Sequence, residues 1–196
     1  MKEEAQKGNG LAKYDLGRMY LLGLGCDKDE SVASTFFRDA LAAFEKMEKA
    51  ARNADYWQYR IGKLYSYGYG VEQDYATAAN WFEKAVAQGD LRATEMLAWC
   101  AMVGEGMDMD FNKSFELHKK LADQGNATGQ LILGFMYFMG TGTEINNDLA
   151  YQYFVLKSLK MWTFWTKNDL KKQKKTDKVY QSFSFIMVPA IGLEPI

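Results

Sequence analysis

The stretch Ala54–Asp90 reads ADYWQYRIGKLYSYGYGVEQDYATAANWFEKAVAQGD and predicts two helices joined by a turn. Apolar residues recur at helical spacing around Ile61–Tyr65, and Gly68 and Gly70 end this pattern. Glycine adopts left-handed backbone angles at little cost, so a Gly-x-Gly pair suits a sharp turn between two antiparallel helices. Asp74 precedes the second apolar pattern, where a short carboxylate can accept hydrogen bonds from the first backbone N–H groups. The stretch is therefore interpreted as one helix-turn-helix unit.

The same unit recurs along the rest of the chain. Two further copies follow at steps of 36 residues, and one copy precedes it by 45 residues. The repeated glycine pairs and cap positions are Gly23/Gly25 with Asp29, Gly104/Gly106 with Asp110, and Gly140/Gly142 with Asn146. We therefore predict an array over residues 1–160, with about four repeats at approximately 11–54, 55–90, 91–126 and 127–160. The nine extra residues of the first copy fall within Ala40–Asp55 and lengthen either its second helix or the following loop.

The four copies share the pattern A-x-x-x-L-G-x-x-Y-x-x-G-x-G-V-x-x-D-x-x-x-A-x-x-W-F-x-K-A-x-x-x-G-[ND]. This pattern resembles the Sel1-like repeat, a relative of the tetratricopeptide repeat, over roughly residues 5–158. The third copy departs from it, with Ala98 in place of the glycine and Leu117-His118 in place of Trp-Phe. The resemblance implies an all-α, right-handed superhelical solenoid of helix-turn-helix repeats that serves as a non-catalytic protein-binding scaffold. Because the shared positions are packing positions, it implies no catalytic residues and no cofactor, and we expect no enzyme activity.

Composition narrows the class of protein. Hydrophobic residues make up 48% of the 196 residues, which is enough to build a core. The net charge of −1 provides no general field that would attract nucleic acid or an anionic membrane. The opening MKEEAQKGNG shows no signal peptide, and no apolar run approaches the roughly 18 residues of a spanning helix. We therefore expect a soluble, cytoplasmic, bacterial protein without a membrane segment.

The residue types on one face of the first helices change from charged to apolar along the array. Positions spaced 4, 3 and 4 residues apart share this face. They are Leu11, Asp15, Arg18, Leu22; Tyr56, Arg60, Lys63, Tyr67; Arg92, Met96, Trp99, Val103; and Thr128, Ile132, Phe135, Met139. The face is mixed and charged in the first two repeats but mainly apolar in the last two. Exposed apolar surface bordered by charge is typical of a partner site. The predicted partner-binding residues are Arg18, Arg60, Lys63, Met96, Trp99, Val103, Ile132, Phe135 and Met139.

Two functional hypotheses follow from this face. In the first, a peptide or partner helix of unknown identity lies along the inner face of the solenoid. In the second, the array is the detached interaction module of a larger bacterial enzyme, such as a plasmid mobilisation protein, with catalysis in a missing upstream domain. Ala5–Asn9 matches the end of a second helix, so the array begins inside a repeat and its uncapped end leaves self-association open.

The segment 161–196 departs from the repeat register and leaves several alternatives open. Met161–Trp165 is apolar and aromatic, Lys167–Lys178 carries a net charge of +4, and the remainder is apolar. The segment could cap the last repeat, cover the apolar face, or be an irregular or disordered extension. Only the lysine run suggests a nucleic-acid or acidic partner, and a solvated helix face is the preferred interpretation of it.

Residues with reactive side chains do not form a recognisable site. The single histidine, His118, aligns with phenylalanines of the other repeats and is predicted to fill a semi-buried packing position without metal ligation. Cys26 and Cys100 lie two repeats apart, so no bridge between them is expected and both thiols are predicted to be reduced. The recurring acid pairs Asp27/Asp29, Glu72/Asp74 and Asp108/Asp110 are interpreted as helix caps.

Overall fold

The computed structural model describes residues 2–50 and 54–154, which all lie in the unit Met1–Lys157. The helices are α1 (Lys2–Gln6), α2 (Gly10–Leu22), α3 (Glu30–Ala50), α4 (Ala54–Tyr67), α5 (Tyr75–Ala87), α6 (Leu91–Val103), α7 (Phe111–Asp123) and α8 (Ala127–Met139). A further helix, α9, begins at residue 147 and is described as far as residue 154. The predictions for residues 161–196 lie outside the described residues.

The helices are arranged as a solenoid of helix pairs. Within α1–α8, the strong helix–helix contacts all join consecutive helices, as expected when each repeat touches only its neighbours. None of the described residues forms a β-strand. The pairs α2–α3, α4–α5, α6–α7 and α8–α9 correspond to the four predicted repeats, so the predicted all-α repeat fold is confirmed.

Short polar side chains begin the helices at the predicted positions. Each second helix starts with a carboxylate or amide oxygen that accepts a backbone N–H: Asp29 from Val32 at 2.9 Å, Asp74 from Thr77 at 3.0 Å, Asp110 from Lys113 at 2.9 Å and Asn146 from Leu149 at 3.0 Å. The residues Asn9, Asp90 and Asn126 cap the first helices α2, α6 and α8 in the same way. Asp27, Glu72 and Asp108, also predicted to be caps, form no hydrogen bond at these described helix starts.

Within three of the repeats, the two helices are in contact where a phenylalanine ring of the second helix packs against a glycine of the first. A Cβ added to Gly62 of α4 would lie 2.6 Å from the ring of Phe82 on α5. The same approach recurs between Gly17 and Phe37, and between Gly134 and Phe154, at 2.8 Å in each case. Any side chain larger than hydrogen would therefore force these helices apart.

Between repeats, the second glycine of each turn after the first touches the preceding second helix. A Cβ added to Gly106 would overlap the carbonyl of Tyr75, the first residue of α5. Gly142 meets the carbonyl of Phe111 in α7 in the same way, and Gly70 approaches the backbone of α3 at Phe37 and Arg38. These glycines set the distance between consecutive repeats because the contact is with rigid backbone.

The second helix of the first repeat is longer than its counterparts. Helix α3 has 21 residues, whereas α5 and α7 have 13 each. The nine extra residues predicted within Ala40–Asp55 therefore mainly extend this helix. The extension buries Phe44, whose ring centroid lies 6.3 Å from that of Tyr14 and 5.5 Å from that of Trp57.

We predict that Gly106→Ala destabilises the protein far more than Gly25→Ala. Both glycines have a left-handed φ, +77° and +74°, so both alanines incur about 1 kcal/mol of backbone strain. A Cβ at Gly25 meets only the Met19 methyl group at 3.8 Å, whereas one at Gly106 collides with the backbone of α5. Urea unfolding followed by circular dichroism should show a loss of about 1 kcal/mol for Gly25→Ala and at least about 3 kcal/mol for Gly106→Ala. Equal losses would contradict the assigned role of the second glycine.

Candidate partner-binding site

All nine predicted partner-binding residues lie on the first helices of the repeats. Arg18 is on α2; Arg60 and Lys63 are on α4; Met96, Trp99 and Val103 are on α6; Ile132, Phe135 and Met139 are on α8. We call the last six residues the apolar strip. The structure places the charged residues on α2 and α4 and the apolar strip on α6 and α8, which are the first helices of successive repeats, as the sequence indicates.

The apolar strip has an exposed part and a half-buried part. Trp99, Val103 and Met139 remain 47%, 39% and 61% exposed. Met96 and Ile132 are half-buried and pack against core clusters that each join their own repeat to the preceding one. The half-buried Phe135 packs edge-on against Phe154, with ring centroids 4.9 Å apart. The exposed part can therefore contact a partner without disturbing the core, while the half-buried part also stabilises the fold.

The charged residues border a groove formed by the first two repeats. This groove has a volume of about 350 Å³ and is lined by Tyr14, Arg18, Arg60, Lys63, Tyr67 and Tyr69. We call it the tyrosine–cation groove. Tyr14 is buried at its floor, whereas Arg18 and Tyr67 are exposed at its surface. The groove therefore combines positive charge with aromatic surface.

Tyrosine rings hold the two cations of α4. The Arg60 guanidinium carbon lies 5.3 Å from the centroid of Tyr14 and 5.1 Å from that of Tyr56. The Lys63 Nζ atom lies 5.8 Å from the centroid of Tyr59 and 5.4 Å from that of Tyr67. A cation is attracted to the negative face of an aromatic ring at such distances. The rings thus orient the cations without neutralising their charge.

No carboxylate of the described chain neutralises this cluster. Arg18, Arg60 and Lys63 form no ion pair with the described Asp and Glu residues, whereas Arg92 on α6 pairs with Asp90, the N-cap of that helix. Burial lowers the pKa of Lys63, and the nearby positive charges of Arg60 and Arg18 lower it further. The groove is consequently a site of unbalanced positive charge.

The sequence prediction placed Tyr67 on this face but missed Tyr14 and Tyr69, the other two tyrosines of the groove. Tyr14 and Tyr59 occupy equivalent positions in the first two repeats, and Tyr69 lies between the two glycines of a turn. Equivalent positions in the later repeats carry other residues. The six tyrosines of repeat two were therefore a usable signal, but only the packed helices bring these rings and Tyr14 around the cations.

His118 occupies a packing position on α7, as predicted, but it is fully buried there and not semi-buried. Its Nδ1 lies 2.9 Å from the Ser114 carbonyl oxygen, and Ser114 Oγ donates to the Ala98 carbonyl at 3.0 Å. Burial lowers the pKa of His118, so the ring is neutral at pH 7 and can donate its Nδ1 proton to the carbonyl. Within residues 2–50 and 54–154, no three His, Cys, Asp or Glu side chains group as a metal site.

The third repeat exchanges two packing residues at once. Where the other repeats pair glycine with phenylalanine, this repeat pairs Ala98 with His118. The imidazole ring is smaller than a phenyl ring, and its hydrogen bond to Ser114 satisfies its buried polar atom. The smaller ring of His118 leaves space for the Ala98 methyl group. The departure from the repeat pattern is a compensated change in packing.

Both cysteines in the described ranges are free, with Cys100 buried on α6 and Cys26 half-buried in the first turn. Burial raises the pKa of the Cys100 thiol to about 11, and the charge of Glu105 adds to this effect. The thiol is therefore protonated at neutral pH and is a weak nucleophile. Across the part of the chain that the structure describes, no helix has the length and apolar character needed to cross a membrane.

Helix-turn-helix units stacked in this way define the class of α/α solenoid repeat proteins. The family model of the Sel1 repeat matches residues 10–34, 58–90, 91–126 and 127–156, so the chain belongs to the Sel1 repeat family. The unmatched residues 35–57 include the extension of α3. No curated protein matches the chain.

Two of the solved structures that are similar to the chain illustrate its fold. One is c5321, a protective antigen of uropathogenic Escherichia coli strains with an SLR fold, at 24% identity and a TM-score of 0.59. The other is a Sel1 repeat protein from Oxalobacter formigenes, at 25% identity and a TM-score of 0.61. The matches cover 80% and 78% of this chain but only 39% and 59% of those proteins. The chain thus spans about two fifths and three fifths of the lengths of these relatives.

We predict that Ala98 and His118 are energetically coupled. His118→Phe alone should cost about 1–3 kcal/mol because a phenyl ring collides with the Ala98 methyl group. Ala98→Gly alone should cost about 1 kcal/mol through loss of helix propensity. The double variant restores the pair found in the other repeats, and its loss should be at least about 1 kcal/mol smaller than the sum of the single losses. Additive losses in urea unfolding would contradict the assigned packing.

We also predict a pH dependence that originates from His118. Its pKa is lowered in the folded state, so the unfolded state binds the proton more readily as the pH falls below the usual value of 6.5. The stability contributed by the neutral ring is present above pH 6.5 and is lost towards the folded-state pKa. Between pH 7 and 5, the protein should therefore lose stability relative to the Ala98→Gly/His118→Phe variant, by at most about 1.4 kcal/mol per pH unit. Parallel pH profiles would contradict this assignment.

Proposed function

We propose that the protein is a non-catalytic, cytoplasmic scaffold that binds a peptide or partner helix along the inner face of its solenoid. The observation that carries this proposal is the exposure of Trp99, Val103 and Met139 on the first helices of consecutive repeats. Sel1 repeat proteins are generally modules of protein–protein interaction, which supports the same function.

The exposed part of the apolar strip suits a partner helix. Trp99 and Val103 are four residues apart on α6, so they lie on the same face and one turn from each other. Met139 is a further exposed apolar residue on α8, the first helix of the next repeat, where Phe135 and Ile132 are half-buried. Amphipathic helices bind in such grooves through apolar residues spaced three and four apart. Trp and Met are enriched in the centres of interfaces, where a few residues supply most of the binding free energy.

A second candidate is that the array serves as the interaction module of a longer bacterial enzyme, such as a plasmid mobilisation protein. This chain covers only 39% and 59% of the lengths of the two structural relatives, and this supports the second candidate. In that case the partner site is the same and the catalytic residues belong to another domain. Sequencing of the transcript upstream of the Met1 codon distinguishes the two: a continuous reading frame supports the module, and a start signal supports the independent scaffold.

We predict that exposed residues of the apolar strip control peptide affinity. The probe is a helical peptide selected against the full chain from a random library, with affinity measured by fluorescence anisotropy. Trp99→Ala should weaken binding by about 30-fold, since hot-spot residues contribute about 2 kcal/mol or more. Met139→Ser should weaken it several-fold. Met109→Ser is the matched control, because Met109 is 60% exposed, like Met139 at 61%, but lies in a turn before α7.

Circular dichroism separates loss of binding from loss of fold. Trp99→Ala and Met139→Ser should retain the helical signal and unfolding midpoint, because both side chains are exposed. Phe135→Ala is a less specific test, since its ring also packs on Phe154 and its removal should lower stability. Peptide affinity unchanged in Trp99→Ala and Met139→Ser, or reduced equally by Met109→Ser, would overturn the proposed site.

A further inference from the structure

The tyrosine–cation groove has a chemistry that the apolar strip does not explain. We propose that it binds an acidic peptide segment, in which Asp or Glu carboxylates of the partner pair with Arg18, Arg60 and Lys63. This inference rests on the proposed function in using the same helix face, and it adds the chemical class of the partner. A partner would then carry an acidic segment next to its apolar residues.

The first argument is charge complementarity. Residues 1–157 contain 17 Lys and Arg against 22 Asp and Glu, so this part of the chain is acidic as a whole. Acidic side chains are thus plentiful, yet none of the described ones forms an ion pair with the three groove cations. Even Asp15, one turn before Arg18 on α2, is exposed and forms no ion pair. The groove therefore retains its positive charge for an external anion.

The second argument is that the cations are already positioned. Arg60 and Lys63 each lie between two tyrosine rings, and the Arg60 guanidinium also donates to the Tyr56 hydroxyl at 2.8 Å. Holding long side chains in place reduces the entropy lost when they bind a ligand. Burial and the neighbouring cations lower the pKa of Lys63, and a bound carboxylate would relieve the repulsion between these charges.

The third argument concerns the spacing of the charges. Arg60 and Lys63 lie three residues apart on α4, a rise of about 4.5 Å along the helix axis. Arg18 occupies on α2 the position equivalent to Lys63 in the preceding repeat. The three charges of the groove are thus spread over two helices, which suits several carboxylates along a peptide better than one compact phosphate group. The chain's own segment Lys167–Lys178 carries a net charge of +4 and has the wrong sign for this groove.

The test uses the full chain and two labelled peptides of 12 residues. In the first, Glu alternates with Gly; in the second, Gln replaces every Glu. Fluorescence anisotropy in low salt should show binding of the Glu peptide at least about tenfold tighter than of the Gln peptide, and this difference should decrease in 150 mM salt. The Arg60→Gln/Lys63→Gln variant should weaken Glu-peptide binding at least about tenfold.

Two further variants control for fold and for general charge. Arg18→Gln changes an exposed residue of the groove and should weaken binding several-fold without altering the circular dichroism spectrum. Lys84→Gln also removes one cation from an aromatic face, since Lys84 Nζ lies 4.0 Å from the Trp81 ring centroid outside the groove. It should change the affinity less than about twofold.

Three results would overturn the inference: equal affinity for the two peptides, equal loss in Lys84→Gln and Arg18→Gln, or displacement of the Glu peptide by inorganic phosphate at lower concentration than by free glutamate. Trp99→Ala should leave Glu-peptide binding unchanged, because Trp99 does not line the groove. Failure of the groove and failure of the apolar strip are therefore distinguished by different variants and different peptides.

Discussion

The structure depends on a close approach between helices at glycine positions. There, a phenylalanine ring or a backbone carbonyl of one helix occupies the space that a Cβ atom would need. Within repeats, a phenylalanine ring such as Phe82 lies over a glycine such as Gly62. Between repeats, glycines such as Gly106 touch the first turn of the preceding second helix. Because backbone cannot be displaced as a flexible side chain can, these contacts hold successive repeats at a constant spacing. The other core side chains must fill the space that this spacing leaves between the helices.

Because the glycine contacts and the core occupy only part of each first helix, its opposite face can carry charged, aromatic or apolar residues. Leu64 and Leu97 are buried in the core, whereas residues on the opposite side of the same helices are exposed or half-buried. The tyrosine–cation groove is thus lined mainly by α2 and α4, whereas the apolar strip lies on α6 and α8, the first helices of the next two repeats. Arg92 lies at their boundary, 4.8 Å from the Tyr56 ring centroid and paired with Asp90. A continuous scaffold can in this way carry surfaces of different polarity side by side.

The third repeat shows how far the packing rule can change. Ala98 and His118 replace the usual glycine and phenylalanine, and Ser114 binds the histidine through its backbone carbonyl. The exchange keeps the interior filled because the added methyl group and the smaller ring compensate each other. A buried polar ring is acceptable here because its donor is satisfied. The histidine is consequently explained by packing, and its position does not require a catalytic role.

The sequence alone determined the repeat number, the helix pairs, the glycine turns and the caps such as Asp74, because these follow from local backbone chemistry and a period along the chain. It also placed Arg60 and Trp99 on a common helix face. Only the tertiary structure decided that Trp99 is exposed while Phe135 packs against Phe154, and that Tyr14 joins Arg60 from a different repeat. Helical periodicity in a sequence shows in which direction a side chain points from the axis of its own helix. Exposure and ring contacts depend on the neighbouring helices, whose distance and rotation are set by the packing between repeats.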